Sequence, residues 1–299
     1  MKIVNNLKTI LIILNKMKST ILMGGLGNQL FQIFHLIAYC LKYNYNFRFR
    51  YSEILEIGNP YRPTYWNSFL KNLKQFTLTG EYGNQILNLP KLYELTFHFI
   101  DYPNIKQPFI FEGYFQSYKY FEKEYNTIIN IIKLKIQQEK IITKYSKYFN
   151  NKNNLISMHF RYSDYKNIQE HHPIMKIDYY KKSLKIIINK INIEKIDILY
   201  FNEKIDNMEI SGIIKLLEKE FPNLSFNKAP DDAEDWEQML MMSLCQHNII
   251  ANSSFSWWGA YFNDNNNKII TYPSKWFGPA QGNKKMDDMY PEKWIKIII

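Results

Sequence analysis

The sequence predicts an α/β protein built on parallel sheets, and three observations carry that expectation. From about residue 155 onward, short apolar runs alternate with stretches whose apolar residues recur at helical spacing, the pattern of strands joined by crossover helices. Near the N-terminus, "ILMGGLGNQLFQ" (21–32) takes a buried apolar run through a glycine turn into a helix. A chain of 299 residues suits one large or two medium domains and is long enough to bury a core.

The elements follow in order. Thr20–Met23 reads as a short buried strand, and Asn28–Leu41 as a helix with Leu30, Phe31, Phe34, Ile37, Ala38 and Leu41 on its apolar face. Asn46–Tyr51 reads as a second strand. From about 53 to 113 the prolines at 60, 63, 90, 103 and 108 prevent any ordering of elements. "FEGYFQSYKYF" (111–121) leads into a helical stretch reaching Phe149, and "NKNN" (151–154) reads as a linker. Beyond it, strands are expected at Leu155–Phe160, Ile196–Phe201, Leu224–Phe226, Asn248–Ala251 and Lys268–Tyr272. Helices are expected at Asp178–Ile191, Met208–Phe221, Ala233–Cys245 and Trp257–Phe262. The expected organisation is an extension outside the fold (1–18), an N-terminal lobe (19–150) and a C-terminal lobe (151–299).

Composition narrows the class. Apolar residues make up 46% of the chain, which excludes a disordered protein. The net charge of +10 comes from dispersed lysines with no arginine-rich patch, so a basic enzyme acting on an anionic substrate explains it as well as nucleic acid does. Aromatic and basic residues interleave along no stripe, so no nucleic-acid partner is expected. Cys40 and Cys245 lie far apart in apolar helical patterns, which excludes a disulfide framework and a cysteine metal site. They point to core packing in a reducing, cytoplasmic setting. The opening "MKIVNNLKTILIILNKMK" resembles a weak signal peptide, but its apolar core of five residues is too short to span a bilayer and no cleavage site follows. No integral membrane segment is expected, and peripheral contact with a membrane stays open.

Three stretches carry chemistry, each at a strand's carboxyl end, where parallel sheets bind ligands. In the glycine turn, Gly25 and Gly27 fit the start of a dinucleotide fingerprint, but Leu30 stands where its third glycine belongs, and no Lys-Ser/Thr follows. What remains is a backbone that a ligand can approach closely, with Asn28 and Gln29 as neutral hydrogen-bonding groups. A tight turn with a capping Asn explains these residues equally well. "SMHFRYSDY" (157–165) sets His159, Arg161 and Asp164 at the next strand end. A guanidinium there suits a diphosphate through its bidentate fork, and a structural Arg–Asp pair is the plainer alternative. "IIANSSFSWWGA" (249–260) ends a strand in Asn252, Ser253 and Ser254 and opens a helix near Ser256, an anion cradle beside two tryptophans expected to pack. In "DDAEDWEQM" (231–239) carboxylates open a helix, so Asp235 is expected to cap it, with a base or ribose contact as the alternative.

Taken in order, "GGLGNQLFQ", "GYFQSYKYF", "HFRYSDY" and "HNIIANSSFSWWGA" followed by "WF" make the chain resemble the α-1,2-fucosyltransferase family, glycosyltransferase family 11, from about Thr20 to Phe277. The resemblance implies a two-lobed GT-B-like fold with Rossmann-like sheets, an N-terminal acceptor-side lobe and a C-terminal nucleotide-sugar lobe. It implies transfer of L-fucose from GDP-fucose to a glycan hydroxyl, galactose O2 in α-1,2 linkage, with inversion. No metal and no separate cofactor are implied, and the chain has no Asp-x-Asp triplet. Carried over, Arg161 neutralises the β-phosphate as GDP leaves and His159 and Asp164 shape the site. Ser253, Ser254 and Ser256 line the nucleotide, and Asn28 and Gln29 face the cleft from the other lobe.

Two places depart from the family. Tyr162 stands where a second adjacent arginine is usual, and Asn202 and Glu203 stand where a Ser-Asp pair is usual. Another nucleotide-sugar donor on the same scaffold is therefore one alternative, and a non-catalytic glycan-binding descendant is another. His171, His172, Glu112 and His159 are all nameable as general base, and spacing selects none of them. His35 and His98 sit in apolar patterns as packing residues. Nothing in the sequence speaks to oligomeric state.

Overall fold

The computed structural model describes residues 17–55, 61–149, 154–191 and 195–299. The chain divides into two compact units, Met1–Lys135 with Lys285–Pro291, and Ile136–Lys284 with Glu292–Ile299.

The first unit opens with strand β1 (Met17–Thr20), a glycine turn and helix α1 (Leu26–Tyr43). Asn44 ends α1 in the left-handed conformation (φ 56°) and donates its N–H back to the carbonyls of Cys40 and Leu41. Short strands β2 (Asn46–Phe47), β3 (Phe49–Arg50), β4 (Ile54–Leu55), β5 (Arg62–Pro63) and β6 (Thr77–Leu78) follow, then helix α2 (Gly80–Leu87) and strands β7 (Lys91–Tyr93) and β8 (Phe109–Glu112). The main sheet is wholly parallel in the order β2-β1-β8-β7, while β3 pairs with β6 and β4 with β5. The expected strand at 46–51 is thus two short strands in different sheets.

The fold begins before residue 19, which corrects the expected extension. Met17 pairs with Asn46, and Lys18 with Phe47 and Phe109. Lys18 is fully buried, yet its ammonium donates to the carbonyls of Gln107 (2.6 Å) and Lys106 (3.2 Å) and lies 4.1 Å from the Tyr45 ring centroid. Those contacts offset the cost of desolvating a cation. The rest of the expected extension (1–16), and 151–153 of the expected linker, lie outside the described residues. Among the described residues no helix is long and apolar enough to cross a membrane.

The expected long helix to Phe149 is broken into α3 (Tyr125–Ile131) and α4 (Leu134–Lys144), because Lys133 between them takes a positive φ of 55°. The division between units falls here, at 135/136, and not at 150/151. The physical reason is how α4 is tied. Gln138 Nε2 donates to Ser243 Oγ (2.9 Å), while Lys144 Nζ (2.6 Å) and Tyr145 OH (2.7 Å) both meet the buried carboxylate of Glu237. Residues 285–291 count with the first unit, where the Asp288 carboxylate accepts from Phe99 N (2.7 Å) and its carbonyl from Ser117 Oγ (2.6 Å).

The second unit alternates as the sequence predicts: β9 (Leu155–His159), α5 (Ile177–Ile191), β10 (Ile196–Phe201), α6 (Asn207–Glu220), β11 (Leu224–Lys228), α7 (Asp235–Ser243), β12 (His247–Ile249), α8 (Ser254–Tyr261) and β13 (Ile270–Pro273). A last strand, β14 (Ile295–Ile297), was not expected. All six strands are parallel, in the order β11-β10-β9-β12-β13-β14. Ile156, Met158, Ile198, Leu184, Ile187, Ile210 and Ile214 form one buried core with α5 and α6. A polar set is satisfied internally: Asn248 Nδ2 donates to Ser157 Oγ (2.7 Å) and Met242 O (2.8 Å), and its Oδ1 accepts from Asn263 Nδ2 (2.8 Å).

Candidate active site

The strand order of the second unit reverses between β9 and β12. Two loops flank that point at the carboxyl edge, where doubly wound sheets bind ligands. They are the loop after β9, carrying Arg161 to Asp164, and the loop after β12, carrying Asn252 to Ser254.

Strand alternation persists into the first loop. Phe160 and Tyr162 point into the core, and Tyr162 OH donates to Met175 O (3.2 Å). The usual second arginine would therefore fall on a core-facing position here, and Tyr162 packs there instead. Arg161 faces the other way with 15% of its side chain exposed. Its guanidinium pairs with Asp164 (2.5 Å) and Glu203 and lies 4.7 Å from the Tyr165 ring centroid. The second carboxylate oxygen of Glu203 accepts from Ser163 Oγ (2.7 Å). Ser163 takes a positive φ of 32°, held by its N–H donating to buried Asp206 (2.8 Å). Asp206 also pairs with Lys166 (2.7 Å), which reaches Glu209 as well (2.6 Å). The guanidinium thus stands in a carboxylate-rich corner.

A column of rings runs from that guanidinium. Tyr165 stacks on His172 (4.9 Å), His172 meets Phe277 (5.5 Å), and Lys284 Nζ lies 4.4 Å from the Phe277 ring centroid. Burial is the main cause that lowers the His172 pKa, aided by His171 and by the charges of Lys284 and Arg161, against Asp164. His159 is buried beside Phe255, and burial together with the Arg161 charge pushes its pKa down to about 3. It stays a neutral imidazole near neutral pH.

On the other flank, fully buried Asn252 ties two loops together. Its Nδ2 donates to Pro173 O (2.9 Å) and Trp276 O (3.1 Å), while its own carbonyl accepts from Tyr165 OH (3.2 Å). Among the described residues, buried Asn252 Oδ1 and His159 Nδ1 meet no hydrogen-bond partner. The two tied loops also zip directly, Gly278 N to His171 O (2.8 Å) and Ala280 N to Glu170 O (2.9 Å). A Cβ on Gly278 would run into the Glu170 carbonyl. Ser253 is the N-cap of α8 and Ser254 its first residue. Ser256, expected to line the nucleotide, is buried with its hydroxyl turned to Ser253 O (3.3 Å). Trp257 and Trp258 are fully buried, as packing predicts.

Other expected contacts are structural in place. Asp235 is exposed in the first turn of α7, bonded to Trp236 N (2.7 Å), while Glu234 and Glu237 form the capping box. In the glycine turn after β1 the residue that needs a glycine's freedom is Gly24 (φ 75°). Gly25 is the N-cap of α1, and Gly27 is buried within that helix. Asn28 Oδ1 accepts from Gln116 Nε2 (2.8 Å), linking the first turn of α1 to the loop after β8. Gln29 is fully buried and its amide nitrogen donates to Gly24 O (3.0 Å) and Pro63 O (2.9 Å), so it holds the turn from inside. Glu112 is paired with Lys91 (2.8 Å). The sequence reading missed Glu94, whose carboxylate accepts from Tyr114 N (2.7 Å) and Phe115 N (2.9 Å) and shapes the loop after β8. It also missed Ser163 and Tyr165. Their signal lies in the pairing of His159 with Phe201, which brings the loops after β9 and β10 side by side. Among the described residues no group of three His, Cys, Asp or Glu side chains is arranged to hold a metal ion.

Comparison with known proteins adds the following. The family model described as Glycosyl transferase family 11 matches residues 14–298. The O-antigen biosynthesis glycosyltransferase WbnK of Escherichia coli is 31% identical over 150 residues, 48% of this chain and 45% of the relative. An alpha-1,2-colitosyltransferase of Escherichia coli is 30% identical over 155 residues, 48% of each chain. Each match spans just under half of the relative's own length. Among solved structures, a mutant of Arabidopsis thaliana FUT1 in complex with GDP aligns with 96% of this chain and 79% of its own at a TM-score of 0.49 and 12% identity. Escherichia coli ADP-heptose LPS heptosyltransferase II aligns with 94% and 90% at a TM-score of 0.49 and 9% identity.

Proposed function

The chain belongs to glycosyl transferase family 11, and from that membership we propose that it is an inverting glycosyltransferase moving L-fucose from GDP-fucose to a glycan hydroxyl, galactose O2 in α-1,2 linkage. One observation carries the reading: Arg161 stands just past β9, at the point where the strand order of the second sheet reverses. Ser253, Ser254 and the amides opening α8 stand at the matching place after β12, where a helix N-terminus favours an anion.

In the proposed reaction the acceptor oxygen bonds to the sugar's C1 as the C1–O bond to the β-phosphate breaks. The bonding pair leaves with GDP, the acceptor's proton passes to solvent, and the configuration inverts. Negative charge grows on the β-phosphate oxygen, and Arg161 supplies the fixed cation that stabilises it. Asp164 orients that guanidinium, and neutral His159 packs behind it without adding a charge. Positioning and leaving-group stabilisation carry the step.

The test is calorimetric titration of a panel of GDP- and UDP-linked sugars, followed by GDP release with a galactose-terminated oligosaccharide in EDTA-containing buffer. The reading expects GDP-fucose to bind and turn over under those conditions, and preferential binding of a UDP-sugar contradicts it. The name of one relative favours a second reading, the same site with a colitosyl donor. The same titration panel, extended to that donor, separates the two.

A further inference from the structure

Two donors on the loop after β9 converge on a single anion. Arg161 Nη1 reaches one oxygen of Glu203 and Ser163 Oγ reaches the other at 2.7 Å. A guanidinium and a hydroxyl aimed at neighbouring oxygens form an arrangement that a phosphate group accepts equally well. The neighbouring acids are engaged differently. Asp164 takes the other guanidinium nitrogen, and Asp206 takes the Ser163 N–H and Lys166.

Glu203 is also the carboxylate free to leave. Its side chain is 54% exposed, whereas Asp206 is buried. It stands on the turn after β10, whose backbone is fixed by Asp206 N donating to Glu203 O (2.8 Å), so the side chain can swing out without moving the strand. Arg161 is only 15% exposed, but the Glu203 side of the pair is open to solvent, which lowers the cost of releasing the carboxylate.

We propose that Glu203 occupies the seat of the donor's β-phosphate and sets nucleotide affinity by competing with it for Arg161 and Ser163. The inference rests on the proposed use of Arg161 as the diphosphate contact. Donor entry expels the carboxylate, and the carboxylate returns as the nucleoside diphosphate departs. No covalent bond changes. The apparent affinity is the intrinsic one reduced by the fraction of molecules in which Glu203 is out. The returning carboxylate shortens the residence of the product, whose release limits turnover in many enzymes.

The test is calorimetric titration of GDP and of inorganic pyrophosphate into wild-type protein, Glu203→Gln and Glu203→Ala, with melting curves to confirm folding. Both variants should bind GDP about three- to tenfold more tightly, and Ser163→Ala in the Glu203→Gln background should lose part of that gain. Steady-state turnover should fall along with KM as GDP release slows. If Glu203 only steadies the guanidinium, Glu203→Gln binds GDP more weakly. Unchanged or weaker binding by both folded variants, with wild type binding normally, overturns the inference alone. Failure of wild type and variants alike to bind GDP or pyrophosphate overturns the functional reading as well.

Discussion

The side-chain nitrogen of Asn252 donates to the carbonyl of Trp276 at 3.1 Å, and the same nitrogen donates to the carbonyl of Pro173 at 2.9 Å. One buried amide therefore fastens both loops that frame the carboxyl end of β12. Replacement by Asp sets a carboxylate against two carbonyls, whereas replacement by Ala only leaves those carbonyls unpaired. Asn252→Asp should cost about 2–4 kcal/mol and Asn252→Ala about 1–3 kcal/mol in urea unfolding. An Asp variant more stable than the Ala variant would show that the amide is turned the other way.

Gly24 and Gly25 should differ sharply although they are adjacent. Gly24 has φ 75°, and an added Cβ would lie 2.5 Å from Asn28 Nδ2. Gly25 has φ −75° and open space around its Cβ position. Gly24→Ala should lose roughly 1–3 kcal/mol, through the left-handed backbone and the displaced Asn28. Gly25→Ala should cost less, at most about 1 kcal/mol, which is the preference of an N-cap for Gly over Ala. Equal effects in chemical denaturation would contradict the turn geometry.

Three buried histidines make the protein acid-sensitive. Burial pushes His35 and His159 down to about 3 and His247 to about 4. Their folded pKa values lie below the unfolded value near 6.5, so between those limits the unfolded chain binds protons that the folded chain refuses. Stability is therefore full above pH 6.5 and falls as the pH drops toward 4, by at most about 1.4 kcal/mol per pH unit for each histidine. His35 sits among aromatic rings, 4.0 Å from that of Phe115. His35→Phe should flatten the fall in melting temperature between pH 6.5 and 4.5. An unchanged slope would refute its share.

Much of the second unit was legible because its strands are buried on both faces and its helices are amphipathic, as Ile196–Phe201 and Ile177–Ile191 illustrate. The start of β1 was not. Lys18 reads as a polar residue outside the fold, and only the carbonyls of Lys106 and Gln107, distant in sequence, explain how it is buried. Arg161 could be found from its place after a strand, but its pairing with Glu203 could not, since it depends on the register of β9 against β10. The bond from the Gln29 amide to Pro63 was illegible for a related reason, since it joins positions 34 residues apart.

The most direct measurement of the central claim is GDP release from GDP-fucose by wild type, Arg161→Lys and Arg161→Ala with a galactose-terminated acceptor. The account predicts that Arg161→Ala loses about 10²- to 10³-fold in kcat/KM. Arg161→Lys should fall between the two, because an ammonium keeps the charge but not the fork. Melting temperatures should change little, since the carboxylates freed from Arg161 are well exposed. Wild-type turnover by folded Arg161→Ala would contradict the account.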